Sequence, residues 1–492
     1  MSQSFRTRVF PVPLLLLLSS THHHVPKPHD LAGKRIIRVS VFLQARQALV
    51  HSVIREMPTW RRIREVKGPW RVAWIDSADA TFYRQMRSPQ RVNQLPGMEA
   101  LSRKKNLARH LNAMREKFPD EYDIYPRTWV LPEQFMQFKE QFTEKRNKTF
   151  IIKPDARCQG RGIFLTRNIE DIDENENQVA QRYMHKPFLI DGLKFDLRLY
   201  VLLASVDPLR LYLHRDGLVR FCTEKYRSPL SSNLDDTFSH LTNYSINKNN
   251  DNFVHNVAVE DTSSGSKWTY QALEKWLVGH DHDVSNLWES ISDTIVKTFL
   301  SASPVLRHNY RLTFPTNDDG AMCYQLLGVD IMLDRKLNPY LLEVNRNPSL
   351  RCDTPLDTTI KQTALREAFH IVCAGTAPNR SQSGIMSRLS SPTSFREWKN
   401  SQKSRQEVSS AKRQRIEAKR ASTTSYVRLF PCKKTNPTKH AEYERILEYG
   451  QDKFDNRFRT KTRSYEGPTT IDGDEELAKA LASISIPDKA LF

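Results

Sequence analysis

Two short runs constrain this chain more than any other feature: Gly328-Val329-Asp330-Ile331-Met332-Leu333, and Tyr340-Leu341-Leu342-Glu343-Val344-Asn345 after the polar stretch Asp334–Pro339. Apolar runs flanking a turn-forming stretch predict an antiparallel hairpin. With the turn centred between Lys336 and Leu337, position 330 falls opposite 343. Two carboxylates facing each other across a strand pair repel, and Asn345 shares the face of Glu343 two residues on. Two carboxylates and an amide carbonyl are hard oxygen ligands. In an otherwise apolar hairpin they suit Mg²⁺ that keeps bound waters and phosphate oxygens. A solvent-facing strand edge is the plain alternative.

The segment Lys194–Val206 alternates in the same way. On a strand Lys194, Asp196, Arg198 and Tyr200 share one face, and Phe195, Leu197, Leu199 and Val201 point into a core. The alternative is a solvated face of mixed charge, but flanks this apolar favour buried, partnered charges. Upstream, Phe150-Ile151-Ile152 reads as a buried strand. It leads into Lys153-Pro154-Asp155-Ala156-Arg157-Cys158-Gln159-Gly160-Arg161-Gly162. Glycines let backbone N–H groups approach a phosphate and the basic residues add charge, yet an ordinary basic hairpin fits as well, and the P-loop order is absent. Ser239–Asn247 is equally open between a capped turn and a site, as is the loop holding Lys267. Arg215-Asp216-Gly217, between Leu209–His214 and Leu218–Cys222, predicts a second hairpin. Helices are expected over Leu101–Phe118, Tyr270–Val278, Val284–Leu300 and Thr359–Cys373. Antiparallel pairs with interspersed helices make the fold class α+β rather than doubly wound.

Composition bears on partners. The 492 residues carry 75 Lys+Arg against 56 Asp+Glu, a net charge of +19. The excess is concentrated: residues 379–440 hold 15 basic and three acidic residues, +12, whereas 441–492 sum to −3. Such a segment predicts a polyanionic partner. Within 394–421 it has little apolar stripe, and a helix polar all round is not a core helix. No apolar run reaches the roughly 18 residues of a membrane span. Leu14–Leu18 is interrupted upstream by Pro11 and Pro13 and makes a poor signal-peptide core. Six cysteines without CxxC spacing read as reduced thiols, with Cys158 structural despite Arg157 and Arg161 beside it. His22-His23-His24 reads as a solvated tract.

Taken in order, Val92-Asn93-Gln94-Leu95-Pro96-Gly97-Met98, Phe118-Pro119, Pro126-Arg127-Thr128-Trp129, Lys153–Phe164, Leu189-Ile190-Asp191-Gly192, Arg198, His240–Asn247 and Glu343-Val344-Asn345-Arg346-Asn347-Pro348-Ser349 resemble the tubulin-tyrosine-ligase-like family, amino-acid ligases of ATP-grasp type. The likeness runs from about Val39 into the basic segment. Cys158–Gly162, Asp207-Pro208-Leu209 and Phe221–Glu224 look most like its long-chain polyglutamylase branch. The resemblance implies ATP contacts at Lys153, Arg161, Gly162, Gln181, Arg182, Tyr183, Met184, Lys194, Asp196, Thr242 and Asn243. It implies Mg²⁺ ligands at Asp330, Glu343 and Asn345, and a glutamate site at Arg220, Tyr244, Ser245 and Lys267. Arg198, Lys194 and Glu343 would be catalytic. Two departures stand out: Ala156-Arg157 in place of a small pair, and Gln94-Leu95 in place of His-Phe.

The expected division is a disordered leader (1–34), an N-terminal α/β domain (35–125), a central (126–190) and a C-terminal (191–378) ATP-grasp domain, a basic helical, cationic microtubule-binding extension (379–460) and a disordered tail (461–492). The implied reaction joins free L-glutamate to glutamates on tubulin tails of microtubules, with ATP and Mg²⁺. The protein would be a monomer of the cytoplasm and cytoskeleton, cilium and basal body included, with no nucleic-acid or membrane partner. The competing readings are a glycine or tyrosine ligase of the same fold, and a microtubule-binding protein that no longer turns over.

Overall fold

The computed structural model describes residues 39–44, 47–58, 60–63, 70–143, 148–256, 263, 265–315, 320–372, 408 and 410–463. The expected leader, the three histidines, residues 394–407 and the tail beyond Tyr465 lie outside them. The first sheet is parallel, with strands β1 (Val39–Gln44), β2 (Trp60–Ile63), β3 (Val72–Ile75) and β4 (Arg91–Val92) in the order β2-β1-β3-β4. Parallel neighbours need a crossover. Helix Ala48–Glu56 supplies the first and buries Leu49, Val50, Val53 and Ile54.

The second sheet is antiparallel: β5 (Thr128–Leu131), β6 (Phe150–Pro154), β7 (Phe164–Thr166) and β8 (Gln178–Arg182), in the order β5-β8-β6-β7. Its small core is aromatic, with Phe138 edge-on to Phe150 at 4.9 Å between ring centres.

The third and largest sheet contains β9 (Leu189–Ile190), β10 (Leu193–Val206), β11 (Leu209–Lys225), β12 (Lys267–Thr269), β13 (Gln325–Leu333), β14 (Pro339–Asn345) and β15 (Tyr426–Phe430). Its order is β12-β11-β10-β13-β14, with β9 on β10 and β15 on β11. The alternation along β10 is as expected. Phe195, Leu197, Leu199, Val201 and Leu203 join the core that holds helix Val284–Thr313. Tyr200, Leu202 and Ala204 join a second core with helix Pro355–Val372. The sheet is therefore covered on both faces, except where the polar residues Lys194, Asp196 and Arg198 replace apolar ones.

Three expectations need correction. Arg215-Asp216-Gly217 is not a hairpin; β11 runs through it. Pairing jumps from Leu199↔Gly217 to Val201↔Leu213, so Tyr200 faces a bulge. The Asp216 carboxylate accepts from the Gly217 N–H at 2.8 Å and the His214 ring from the Asp216 N–H, bonds that imitate a turn. Gly217 is required because a Cβ would lie 2.6 Å from the Arg198 carbonyl oxygen. The true β10–β11 turn is Asp207-Pro208, its carboxylate held by Arg307 and Arg311. The helix expected over Leu101–Phe118 is two, Glu99–Ser102 and Lys104–Lys117, broken at the extended Arg103. The helix from Val284 continues past Leu300 and Pro304 to Thr313, because its buried face continues as well. Tyr270–Val278 forms as expected, capped by Thr269.

The chain returns to this core at its C-terminal end. Beyond the helix over 410–421, β15 pairs with β11, and helix Pro437–Arg463 lies along Val284–Thr313. There Tyr443 donates to Asp293 and Lys297 bridges Asp293 and Glu442. Among the described residues no helix is long and apolar enough to cross a membrane.

Candidate active site

Strand register sets two rows of charged side chains across the large sheet. One is Lys267↔Arg220↔Asp196 on β12, β11 and β10; the next is Arg198↔Asp330↔Glu343 on β10, β13 and β14. The expected pairing of 330 with 343 is present, by a different route. From Leu333↔Pro339 to Ile331↔Leu341 the hairpin is centred on Lys336, and an extra residue at Leu342 then brings Glu343 opposite Asp330.

Inside the rows, charges are matched. Arg198 forks onto Asp330, with its second bond at 2.9 Å. Arg220 reaches the Asp196 oxygens at 2.7 and 2.6 Å and Asp330 at 2.9 Å, and the Thr242 hydroxyl donates to Asp196 at 2.8 Å. Burial pushes the Asp330 carboxyl up, but Arg198 and Arg220 outweigh it and hold that group well below the usual carboxylate range. For Asp196 burial prevails over Arg220, and its pKa is raised. Glu343 stands half-buried at the end of its row, accepting from the Asn345 amide at 3.0 Å.

Two lysines flank the rows. Lys153, at the end of β6, donates to Gln181 on β8 at 2.7 Å, and Gln181 donates onward to Thr128. Lys194 donates to the Tyr183 hydroxyl at 2.9 Å and the His240 carbonyl at 2.7 Å. Burial lowers both lysines to about 8. The glycine-containing loop after β6 is pinned at both ends: Lys104 donates to the carbonyls of Pro154 and Arg157, and Ser245 donates to that of Gln159. Gly160 and Gly162 have φ of +77° and +70°, a region open to glycine. Arg161 is exposed on this loop, whereas Arg182 turns over the Phe150 ring and Met184 is half-buried. Asn243 precedes the short turn Tyr244–Asn247 without a side-chain cap, and Thr242 beside it brings the polar loop against the charged rows.

Around Lys267 the structure adds residues that sequence reasoning missed. The Lys267 ammonium lies 3.6 Å from the Tyr244 ring centre and 2.7 Å from Asp357. Asp357 also receives Lys361, one helical turn on, and Asp353 accepts from the Tyr244 hydroxyl at 2.8 Å. The i, i+4 spacing of Asp357 and Lys361 was the available signal. Lys104 carried none, since its bonds depend on the break at Arg103. The Gln94 amide, one of the departures noted above, donates to the backbone carbonyl of Ile75 and to Asn347, so two resembling segments meet.

Among the described residues no three His, Cys, Asp or Glu side chains gather as a metal cluster. A donor set of Asp330, Glu343 and Asn345 is two carboxylates and one amide, chemistry that fits magnesium rather than zinc. The model of the tubulin-tyrosine ligase family matches residues 83–382, which span every strand from β5 to β14. The chain belongs to the tubulin-tyrosine ligase family. Among members of this family, it is 46% identical over 312 residues to a probable beta-tubulin polyglutamylase of Tetrahymena thermophila, covering 63% of this chain and 26% of that protein. It is 45% identical over 312 residues to tubulin polyglutamylase ttll6 of Danio rerio, covering 63% and 40%. With tubulin polyglutamylase TTLL13 of Mus musculus it shares 46% over 306 residues, covering 62% and 37%. The chain thus aligns with a quarter to two fifths of the length of these relatives.

Proposed function

We propose that this family member is an ATP-dependent tubulin polyglutamylase, extending glutamate chains on the acidic tails of microtubules. The observation that carries the reading is the corner where Asp330, Glu343 and Asn345 meet beside Arg198, flanked by two lysines whose charge is costly to bury. Such a site favours a polyanion such as ATP. Lys153, Lys194, Arg161 and the Gly160–Gly162 backbone would bind phosphates. Gln181, Arg182, Tyr183 and Met184 would line the base, with Asp196, Thr242 and Asn243 completing the nucleotide contacts. Mg²⁺ held by Asp330, Glu343 and Asn345 would neutralise phosphate charge.

The chemistry needs two displacements. An acceptor carboxylate oxygen attacks the γ-phosphorus and the bond to ADP breaks, giving an acyl phosphate. The amine of glutamate then attacks the acyl carbon, loses its proton and expels phosphate. Arg198 and Lys194 would oppose charge on the moving phosphoryl group. Arg220, Lys267, Tyr244 and Ser245 would orient glutamate, two cations suiting two carboxylates. The +12 segment would hold the enzyme, a monomer, to the cytoskeleton, cilia included.

The test is incorporation of labelled glutamate, glycine or tyrosine into stabilised microtubules with Mg·ATP. Glutamate alone should be incorporated, with Glu343→Gln inactive. Glycine or tyrosine incorporation would overturn the substrate, and binding without incorporation, on unmodified and glutamylated tubulin alike, would overturn the enzyme.

A further inference from the structure

Among the described residues, the basic segment contains one carboxylate that solvent does not reach. Glu417, fully buried in the helix over 410–421, takes Arg210 of β11 at 2.8 Å and lies 3.8 Å from Arg91 of β4. Arg91 is itself fixed, donating to the backbone carbonyls of Ala321, Ala204 and Val372. Glu417 therefore joins this helix to the first and third sheets at one point. The end of the helix is secured as well. Ala421 is buried, Arg420 donates to the His370 carbonyl at 2.8 Å, and the following Ser425 N–H donates to Glu367 at 2.7 Å.

A buried, forked ion pair is directional, so it fixes the rotation of a helix as well as its place. Ser410 and Ala421 fall on the buried side with Glu417. At 3.6 residues per turn, Lys412, Arg415 and Lys419 fall within about 40° of the diametrically opposite direction. All three are exposed. The result is a cationic stripe about 10 Å long, from seven residues at 1.5 Å each, held on a rigid base. Cations three and four residues apart along one face suit an extended peptide with successive carboxylates.

We propose that Glu417 is a positioning residue, whose carboxylate, bound by Arg210 and Arg91, sets the helix so that Lys412, Arg415 and Lys419 face an acidic peptide. The inference rests on the proposed acidic acceptor, and its test needs no turnover, so the two can fail separately. The binding of labelled poly-L-glutamate to the full chain is followed by fluorescence anisotropy without ATP, together with deuterium uptake. The triple change K412A/R415A/K419A, all on the surface, should weaken binding about tenfold and flatten its salt dependence. Glu417→Gln should weaken binding about fivefold, with faster uptake confined to 410–421. K139A/K275A, exposed lysines outside the basic segment, should change it less than about twofold. If Glu417→Gln does not fold, Arg210→Lys, which keeps the charge and loses the fork, carries the same expectation. Wild-type affinity in the triple variant overturns the stripe. Wild-type affinity in Glu417→Gln, or in Arg210→Lys where that replaces it, overturns the positioning role. Equal competition by duplex DNA overturns the commitment to a peptide.

Discussion

Asp330 and Glu343 face each other across one hairpin, yet the same change should have unlike consequences at the two positions. Asp330 is 2% exposed and carries two guanidiniums; Glu343 is half-buried and bonded to a neutral amide. Asp330→Asn leaves Arg198 and Arg220 opposite Asp196 alone, and breaking one side of a buried ion network costs about 3–5 kcal/mol. Glu343→Gln removes a charge that water reaches and no arginine holds, so about 1 kcal/mol or less is expected. The difference is readable from urea denaturation midpoints near neutral pH. Its pH dependence follows from the lowered pKa of Asp330. A carboxyl depressed in the folded state contributes its full stability above the unfolded value of about 4 and loses it as pH falls towards the folded value. The gap between wild type and Asp330→Asn should thus be constant from about pH 5.5 to 8 and shrink in acid below about pH 4. Equal losses of stability in the two variants would refute the claim that the arginines, rather than the hairpin itself, make Asp330 structurally indispensable.

Other consequences are as specific. Burial lowers the pKa of Lys153 and Lys194 to about 8. Since phosphate binding needs the charged form, kcat/KM for ATP should fall about tenfold or more between about pH 7 and 9. A flat profile would mean that neither lysine meets the nucleotide. Gly160→Ala forces an L side chain into φ +77° with its Cβ 2.6 Å from Ile246 Cδ1. The expected outcome is a raised KM for ATP with a stability loss of only about 1–2 kcal/mol. Lys267→Met should raise the KM for glutamate about tenfold or more, through loss of one charge-assisted hydrogen bond, and leave that for ATP unchanged. Equal rises in both would place Lys267 elsewhere in the reaction.

What the sequence made legible was local. Period-2 alternation gave both faces of β10, and apolar runs flanking a polar turn gave the facing of Asp330 and Glu343. Even there the bulge at Leu342 was invisible, because a bulge is a property of the paired strand. At Arg215-Asp216-Gly217 turn chemistry was read correctly and its setting wrongly. The same side-chain bonds that close a hairpin here close a bulge, and the choice was made by β10, fixed on its other side by β13. The anchor of the basic helix over 410–421 was invisible for a like reason. Its charge pattern is local, but the residue that ties it to the core is an acid whose partner lies 207 positions away. No local propensity carries that distance.

The placing of the site follows from where charge can be buried without remainder. Arg198, Arg220, Asp196 and Asp330 are two cations and two anions, joined by at least five hydrogen bonds, and as a group they need no water. They extend a hydrophobic sheet face into a polar one without opening the core. Around that neutral quartet the bonding is different: Lys153 and Lys194 donate to amide, hydroxyl and carbonyl oxygens, and Glu343 accepts from an amide. Charges matched only by neutral dipoles are the ones that a charged ligand can bind best, because pairing them gains Coulomb energy without first breaking an ion pair. Most of the binding energy should therefore come from the rim, the lysines and Glu343, while the quartet aligns them and adds its own contacts through Arg198, Asp330, Arg220 and Asp196 without giving up its internal pairs.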